Sequence, residues 1–534
     1  MALVQRMGLR VSIRSVFVAV SALMLAGAAA AAPVLSPGID PEAVRGALQS
    51  ALNEPAAPGT DVLRFYGARD FRPAWIGNPD ADEAVAAMEG ADGDGLDPGT
   101  YHAHSLAARS RLTTAGEAAQ YDIALTDGLL RYAKDLRQGL LDPGTADSMV
   151  EILRPSFDAV ASLESALSSG GLAPWLAGLA PANPEYARLK AALARYRETV
   201  AQGGWPKVPA VRKIALEASN PELVPLQRRL AAEDAQVRTA GEPADISVLD
   251  EAIRRFQARN GLKVDGVAGG QTIEALNISA ADRVALIQAN MERWRWLPHE
   301  FPTRYIMVNT ADASLKVVDN GNTVLTSPVI VGKRTTPTGI FTANVNAVTI
   351  NPPWDVPTSI VRNEILPKLR RNPAYLAQHH MVQMGSPYRI RQLPGAYNAL
   401  GYLKLEMPND FSSYLHDTSS RKLFARDDRY LSHGCIRVQN IRPLASYVLT
   451  GNTEAGLQEI DEAIAKGQTA KLALDKPLPV YVLYWTAIAQ LDGTVEFRPD
   501  VYGRDKRLLA AFAGQPKASS AATGASSDCV GWKG

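Results

Sequence analysis

A cysteine does acyl-transfer chemistry only as its thiolate, so a reactive one needs neighbours that draw its pKa below the free value near ~8.5. Cys435, one of two cysteines in 534 residues, has such neighbours on both sides. The chain reads Tyr414-Leu415-His416-Asp417, then a polar stretch, then Ser432-His433-Gly434-Cys435-Ile436-Arg437-Val438-Gln439-Asn440. His416 and His433 are candidate bases. Gly434 lets the backbone turn tightly enough for successive amides to converge into an oxyanion hole, to which the Tyr414 hydroxyl can add. Arg437 can lower the thiol pKa, meet a substrate carboxylate or sit in a structural ion pair. One Cys with two His and no Cys-x-x-Cys partner falls short of the close-spaced ligands of a zinc site. His102, His104, His379 and His380 read as surface residues.

His416 followed by Ser432-His433-Gly434-Cys435, and extended by Ile436-Arg437-Val438 with Asn440, resembles the signature of the peptidoglycan L,D-transpeptidases. Two further phrases resemble the same family, Val331 to Phe341 and Ile350 to Pro357, the second its larger members. The resemblance implies that Cys435 is the nucleophile and His416 the general base and acid. It implies that Tyr414, His433 and Gly434 support the oxyanion and the loop, and that Ser432 and Arg437 meet substrate. The reaction it implies is ping-pong: Cys435 displaces D-Ala from a tetrapeptide stem, and an amine of a second stem resolves the thioester into a 3→3 cross-link. No ATP, metal or cofactor enters, and carbapenems are expected to acylate the same thiol. The residues themselves leave open which histidine is the base. They also leave open an L,D-carboxypeptidase or hydrolase using the same acyl-enzyme, and a non-catalytic wall-binding scaffold.

The elements that would position these residues divide the chain. Residues 1–32 carry Arg6, Arg10 and Arg14, an apolar run from Val16 and an Ala-rich exit, the three parts of a signal peptide; an uncleaved anchor is the alternative. Export to the periplasm follows. Residues 33–205 read as a helical domain seeded by Phe65-Tyr66 and Phe71 to Trp75, similar to the scaffold domain of the larger family members. Residues 215–280 resemble a peptidoglycan-binding module: an amphipathic helix, a Gly-rich double turn and a second helix that Thr272 could cap. The same text also fits a plain packing module. Residues 300–505 switch to a period of two and read as the mainly β, sandwich-like catalytic domain, closed by strands at Val480 to Trp485 and Thr494 to Phe497. An insert at about 356–396 is too basic for more sheet and resembles the family's lid, placed to steer stem peptides and exclude water. Residues 510–534, with Cys529, read as a disordered tail.

The fold class is therefore multidomain α+β, with ample length for several cores. A net charge of +1 and a charged fraction of 21% give no basic footprint for nucleic acid. The partners expected are peptidoglycan stem peptides and glycan, met by a monomer. Two cysteines in an exported chain of this size exclude a disulfide framework.

Overall fold

The computed structural model describes residues 33–37, 39–53 and 59–514. The expected signal peptide and the tail beyond 514, with Cys529, lie outside them. The N-terminal third is helical, around a central helix α1 (Ala115–Gln138) that opens on a Thr114/Glu117 capping box. The expected aromatic seed is its core: Phe65, Tyr66 and Trp75 are each at most 1% exposed. The buried Asp122 of α1 accepts the Ala74, Trp75 and Ile76 amides and the Tyr66 hydroxyl, which pins the Phe71 to Trp75 turn to the helix. A short strand, β1 (Val150–Glu151), leaves this region, and helix α2 (Pro184–Ala201) follows with Asn183 as cap and proline at its first position.

The module at 215–280 forms its own core from Leu226, Leu249, Ile253, Phe256, Ile273 and Leu276. Its helices are α3 (Ile246–Arg259) and α4 (Gly270–Leu276). Thr272 does not cap α4. Gly269 occupies that position, and the buried Thr272 hydroxyl bonds Val267 O and Gln257 instead. Helix α5 (Ala280–Arg295), opened by a Ser279/Asp282 capping box, then leads to the β-rich part.

There the strands are β2 (Arg304–Asn309), β3 (Ser314–Asp319), β4 (Asn322–Gly332) and β5 (Ile340–Ile350). Asn320 and Gly321, both at positive φ, make the tight turn between β3 and β4. The lid comes next, with β6 (Trp354–Asp355), β7 (Met381–Gln383) and β8 (Ile390–Gln392). Then follow β9 (Leu403–Glu406), β10 (Leu415–His416), β11 (Tyr430–Ser432), β12 (Ile436–Val438), helix α6 (Ile441–Thr450) and the long β13 (Ala470–Leu483). The sheet order is β9-β10-β12-β4-β3-β2-β13-β5-β1, with β11 beside β4. Because β9 also pairs with β5, the sheet closes on itself, so the sandwich-like part is one continuous sheet wrapped around a core.

Alternation sorts the strands' side chains. Ile306, Val308, Val480 and Val482 face the enclosed core with Leu405, Leu415, Ile436 and Val438, under Leu444 and Val448 of α6. Tyr305, Met307, Tyr481 and Leu483 face outward onto α2 and α5, in one core with Leu189, Leu193, Ile287 and Trp294. Strand β2 and the end of β13 from Val480 to Leu483 are thus buried on both faces, which is why those stretches read as apolar runs. Trp294 stacks on Trp485 at 4.4 Å within this core.

Three expectations need correction. Of the two expected closing strands, Val480 to Leu483 does lie in the main sheet as the end of β13, but β15 (Val495–Phe497) pairs with β14 (Ala487–Ala489) in a separate hairpin. The lid insert contains a three-stranded sheet, β6-β8-β7, over a small core of Val356, Val361, Ile365, Met381 and Ile390, with a π-helical turn at Val361–Ile365. The tail expected from 510 begins as helix: α7 (Arg504–Ala513) buries Leu508 at 2% exposure against the shared core.

Candidate active site

Strand β10 pairs antiparallel with β9, setting Lys404 opposite His416, and parallel with β12, setting His416 opposite Arg437. Since Leu405, Leu415 and Ile436 point into the enclosed core, the alternate residues Lys404, Tyr414, His416, Cys435 and Arg437 share the other face. The expected residues Tyr414, His416, Cys435 and Arg437 are therefore brought together by strand register. The Tyr414 and His416 rings meet edge-on at 5.4 Å, and Lys404 Nζ lies 4.3 Å from the Tyr414 ring centroid. Lys404 was not singled out from sequence, although the alternation Leu403-Lys404-Leu405-Glu406 carries the signal.

The nucleophile loop is clipped on several sides. The Ser432 hydroxyl donates to Cys435 O at 2.6 Å and accepts the Gly434 N–H at 3.1 Å. Thr338 Oγ1 donates to Gly434 O at 2.8 Å, and Lys333 N–H donates to Ser432 O at 2.9 Å. Gly434 stands at φ +115°, a conformation open to glycine. Ser432, expected to meet substrate, is 2% exposed and its hydroxyl is engaged within the loop. The Gly434 N–H, expected to face an oxyanion, is likewise taken by Ser432.

Electrostatics at the site run toward neutral forms. Burial pushes the Cys435 thiol above its ordinary pKa, outweighing the Tyr414 hydroxyl and amide and the charges of Lys404 and Arg437, which pull it down. The expected neighbours do pull the thiol pKa down, but desolvation outweighs them. Burial, then Arg437 and Lys404, lower the His416 pKa to about 3, against a backbone hydrogen bond at Asp417 that raises it. His416 is 4% exposed and its Nδ1 has no partner among the described residues. Asp417 turns away from it, accepting the Tyr402 N–H at 3.0 Å and pairing with Arg421. Burial also raises the Tyr414 pKa, as does the Cys435 thiol it bonds, while a hydrogen bond from Trp354 opposes them. Arg437 is lowered by burial, opposed by Cys435.

His433 lies elsewhere. It is exposed, and its Nε2 is 2.6 Å from Glu364 Oε1 in the π-helical turn of the lid. Glu364 was not visible as a site residue from sequence, since only the fold brings positions 364 and 433 together. In the lid, Arg391 pairs with Asp355 at 2.6 and 2.9 Å and Arg362 lies over the Tyr388 ring. No cluster of three or more His, Cys, Asp or Glu suited to a metal occurs among the described residues. No helix among them is long and apolar enough to cross a membrane.

A neutral base candidate and a part-buried thiol on one face, beside a tyrosine hydroxyl and two cations, can form an acyl-thioester. Comparison with known proteins places the same segment beside a known domain family. Residues 303–459 match the family model of the L,D-transpeptidase catalytic domain. Residues 60–193 match a scaffold domain and 219–276 a peptidoglycan binding domain. A Haemophilus influenzae protein named "Putative L,D-transpeptidase" is 33% identical over 240 residues, 41% of this chain and 48% of the relative. The match thus spans about half of that relative's length. The L,D-transpeptidase structure from Stackebrandtia nassauensis is similar at 15% identity and a TM-score of 0.20, over 52% of this chain and 96% of its own. A mutant Enterococcus faecium L,D-transpeptidase is similar at 16% and 0.18, over 34% and 50%. The segment that holds this site thus matches the L,D-transpeptidase catalytic domain, with matches to a scaffold and a peptidoglycan binding domain before it.

Proposed function

We propose that the protein is an exported, periplasmic L,D-transpeptidase that forms 3→3 cross-links between peptidoglycan stem peptides through a thioester on Cys435. The observation that carries this reading is the common face of β9, β10 and β12, where strand register puts His416 opposite Arg437 and Leu415 opposite Ile436 and so brings Tyr414, one pair beyond, level with Cys435. His416 takes the thiol proton as the thiolate attacks the carbonyl of the third stem residue, and returns it to the departing D-Ala amine. The Tyr414 hydroxyl and the Cys435 N–H, for which no protein acceptor is found among the described residues, hold the developing oxyanion. Arg437 and Lys404 favour the thiolate once substrate has displaced water. Ser432 and Gly434 set the loop, His433 joins it to the lid, and the 219–276 module holds glycan.

Two measurements test the proposal. Intact-mass spectrometry after carbapenem treatment is expected to show one adduct, lost in Cys435→Ala; an adduct that persists in that variant, or maps to Cys529, defeats the assignment. Incubation with tetrapeptide muropeptides is expected to yield dimers, whereas shortened monomers alone would assign an L,D-carboxypeptidase.

A further inference from the structure

The segment matched as a scaffold reaches the nucleophile loop through a short run of buried contacts. Thr338 is 0% exposed. Its hydroxyl donates to Gly434 O at 2.8 Å and accepts the Gly332 N–H at 2.9 Å. The carbonyl of the same residue accepts Arg504 Nη2 at 2.8 Å, and Tyr502 Oη donates to Gly332 O at 2.6 Å. Arg504, 3% exposed at the start of α7, lies over the Tyr484 and Tyr502 rings. Its counter-charge comes from the other end of the chain, with Arg504 Nε 3.3 Å from Asp147 Oδ2. Asp147 also takes Arg507 Nη2 at 2.7 Å, and its Oδ1 and carbonyl accept the Met149 and Val150 amides. Those residues lead into β1, which pairs Val150 with Ile340 and Glu151 with Phe341, just past Thr338, while Met149 O accepts the Ile340 N–H.

We propose that Asp147, Arg504 and Thr338 are positioning residues for the nucleophile, so that the scaffold segment sets the geometry of the Cys435 loop. The proposal rests on the reading of Cys435 as nucleophile. A buried guanidinium is stable only beside a counter-charge, and Asp147 supplies it from outside the catalytic segment. Arg504 so held fixes the Thr338 carbonyl, and with it the hydroxyl that anchors Gly434. That anchor matters because glycine at φ +115° offers little resistance of its own to rotation. A displaced Gly434 carries the Cys435 thiol away from the Tyr414 hydroxyl.

The test uses the full chain and the variants Thr338→Val, Thr338→Ser, Arg504→Lys and Asp147→Asn. Three quantities are read: the carbapenem acylation rate, the pH profile of Cys435 alkylation by iodoacetamide, and the thermal midpoint. Thr338→Val is expected to slow acylation by about 10²-fold, the scale of a 1 Å misplacement, and to move the alkylation profile to higher pH. Thr338→Ser, which keeps the hydroxyl, restores both. Asp147→Asn moves both in the same direction as Thr338→Val. Wild-type acylation and profile in Thr338→Val overturn the proposal. So does an Asp147→Asn protein with a lowered thermal midpoint and an unchanged rate and profile, since the scaffold contact is then merely structural. If Arg504→Lys does not fold, Asp147→Asn decides. Iodoacetamide needs no stem-peptide recognition, so the alkylation result stands even if the cross-linking reading fails.

Discussion

At the scale of the residue, burial works against the charged forms of both the thiol and the imidazole of the site. That opposition leaves a signature in stability. The folded pKa of His416, about 3, lies below its ordinary 6.5, so the unfolded chain binds the extra proton between those values. Stability from this group is present above about pH 6.5 and is lost as pH falls toward about 3, at up to about 1.4 kcal/mol per pH unit. Urea midpoints at pH 7 and pH 5 are expected to differ less in His416→Gln than in the wild type; equal differences would mean that His416 does not titrate this way. The two histidines are expected to separate functionally as well. His416→Ala is expected to cut acylation of Cys435 by about 10² to 10⁴-fold, the range for a lost general base. His433→Ala, remote on the lid side, should leave the pH dependence of thiol alkylation nearly unchanged. A shifted profile in His433→Ala with an unshifted one in His416→Ala would reverse the roles. Gly401 supplies a steric case: at φ +60°, an added Cβ would lie 2.4 Å from the Asp417 carboxylate next to His416. Gly401→Ala is expected to destabilise by more than the roughly 1–2 kcal/mol of the left-handed backbone alone, read as a lowered urea midpoint; a midpoint within experimental error of the wild type would show that Asp417 gives way.

At the scale of the element, the lid has its own small core and touches the nucleophile motif through Glu364 and His433. The pair is more than a third exposed, so it is worth about 0.2–1 kcal/mol. Glu364→Gln is therefore expected to raise the hydrolysed fraction of acyl-enzyme by no more than about fivefold, measured as the ratio of shortened monomer to dimer. An unchanged ratio would mean that the contact does not govern water access. These elements also show where sequence reading reaches its limit. The catalytic strands were legible because alternation and the Ser432 to Cys435 spacing are local signals. The lid strands were not: they are two or three residues long, and their core draws single apolar residues from a basic background. Strand β1 has two residues and pairs across nearly two hundred positions, so nothing local marks it. Thr494 to Phe497 is legible as strand but falls in another sheet than expected, paired with β14, since periodicity reports burial and not partners. The raised thiol pKa escaped for a similar reason, because neighbours in sequence show the groups that pull a pKa down while desolvation depends on the whole fold.

At the scale of the whole molecule, the boundaries drawn from sequence cut through a core. The outward faces of β2 and β13 bury Tyr305, Met307, Tyr481 and Leu483 against α2 and α5, which lie before residue 300. Polar contacts reinforce that seam: Arg293 pairs with Asp505 at 2.6 Å, and Asn290 bonds the Thr486 hydroxyl at 2.9 Å. A fragment of residues 300–505 would expose those four side chains and leave Asp505 without its arginine. At about 1.5–3 kcal/mol for each large apolar side chain, the loss is about 6–12 kcal/mol, comparable with the whole stability of a typical domain. The fragment is therefore expected to bind a hydrophobic dye and aggregate, and to acylate poorly with carbapenem. A fragment of residues 33–514, which keeps every helix packed on that face, Asp147 and α7, is expected to stay soluble and react at a rate near that of the full chain. Dye fluorescence, sedimentation and intact-mass acylation of the two fragments decide the matter. A soluble, fully reactive 300–505 fragment would show that the catalytic sheet stands alone and that its helical neighbours serve another purpose.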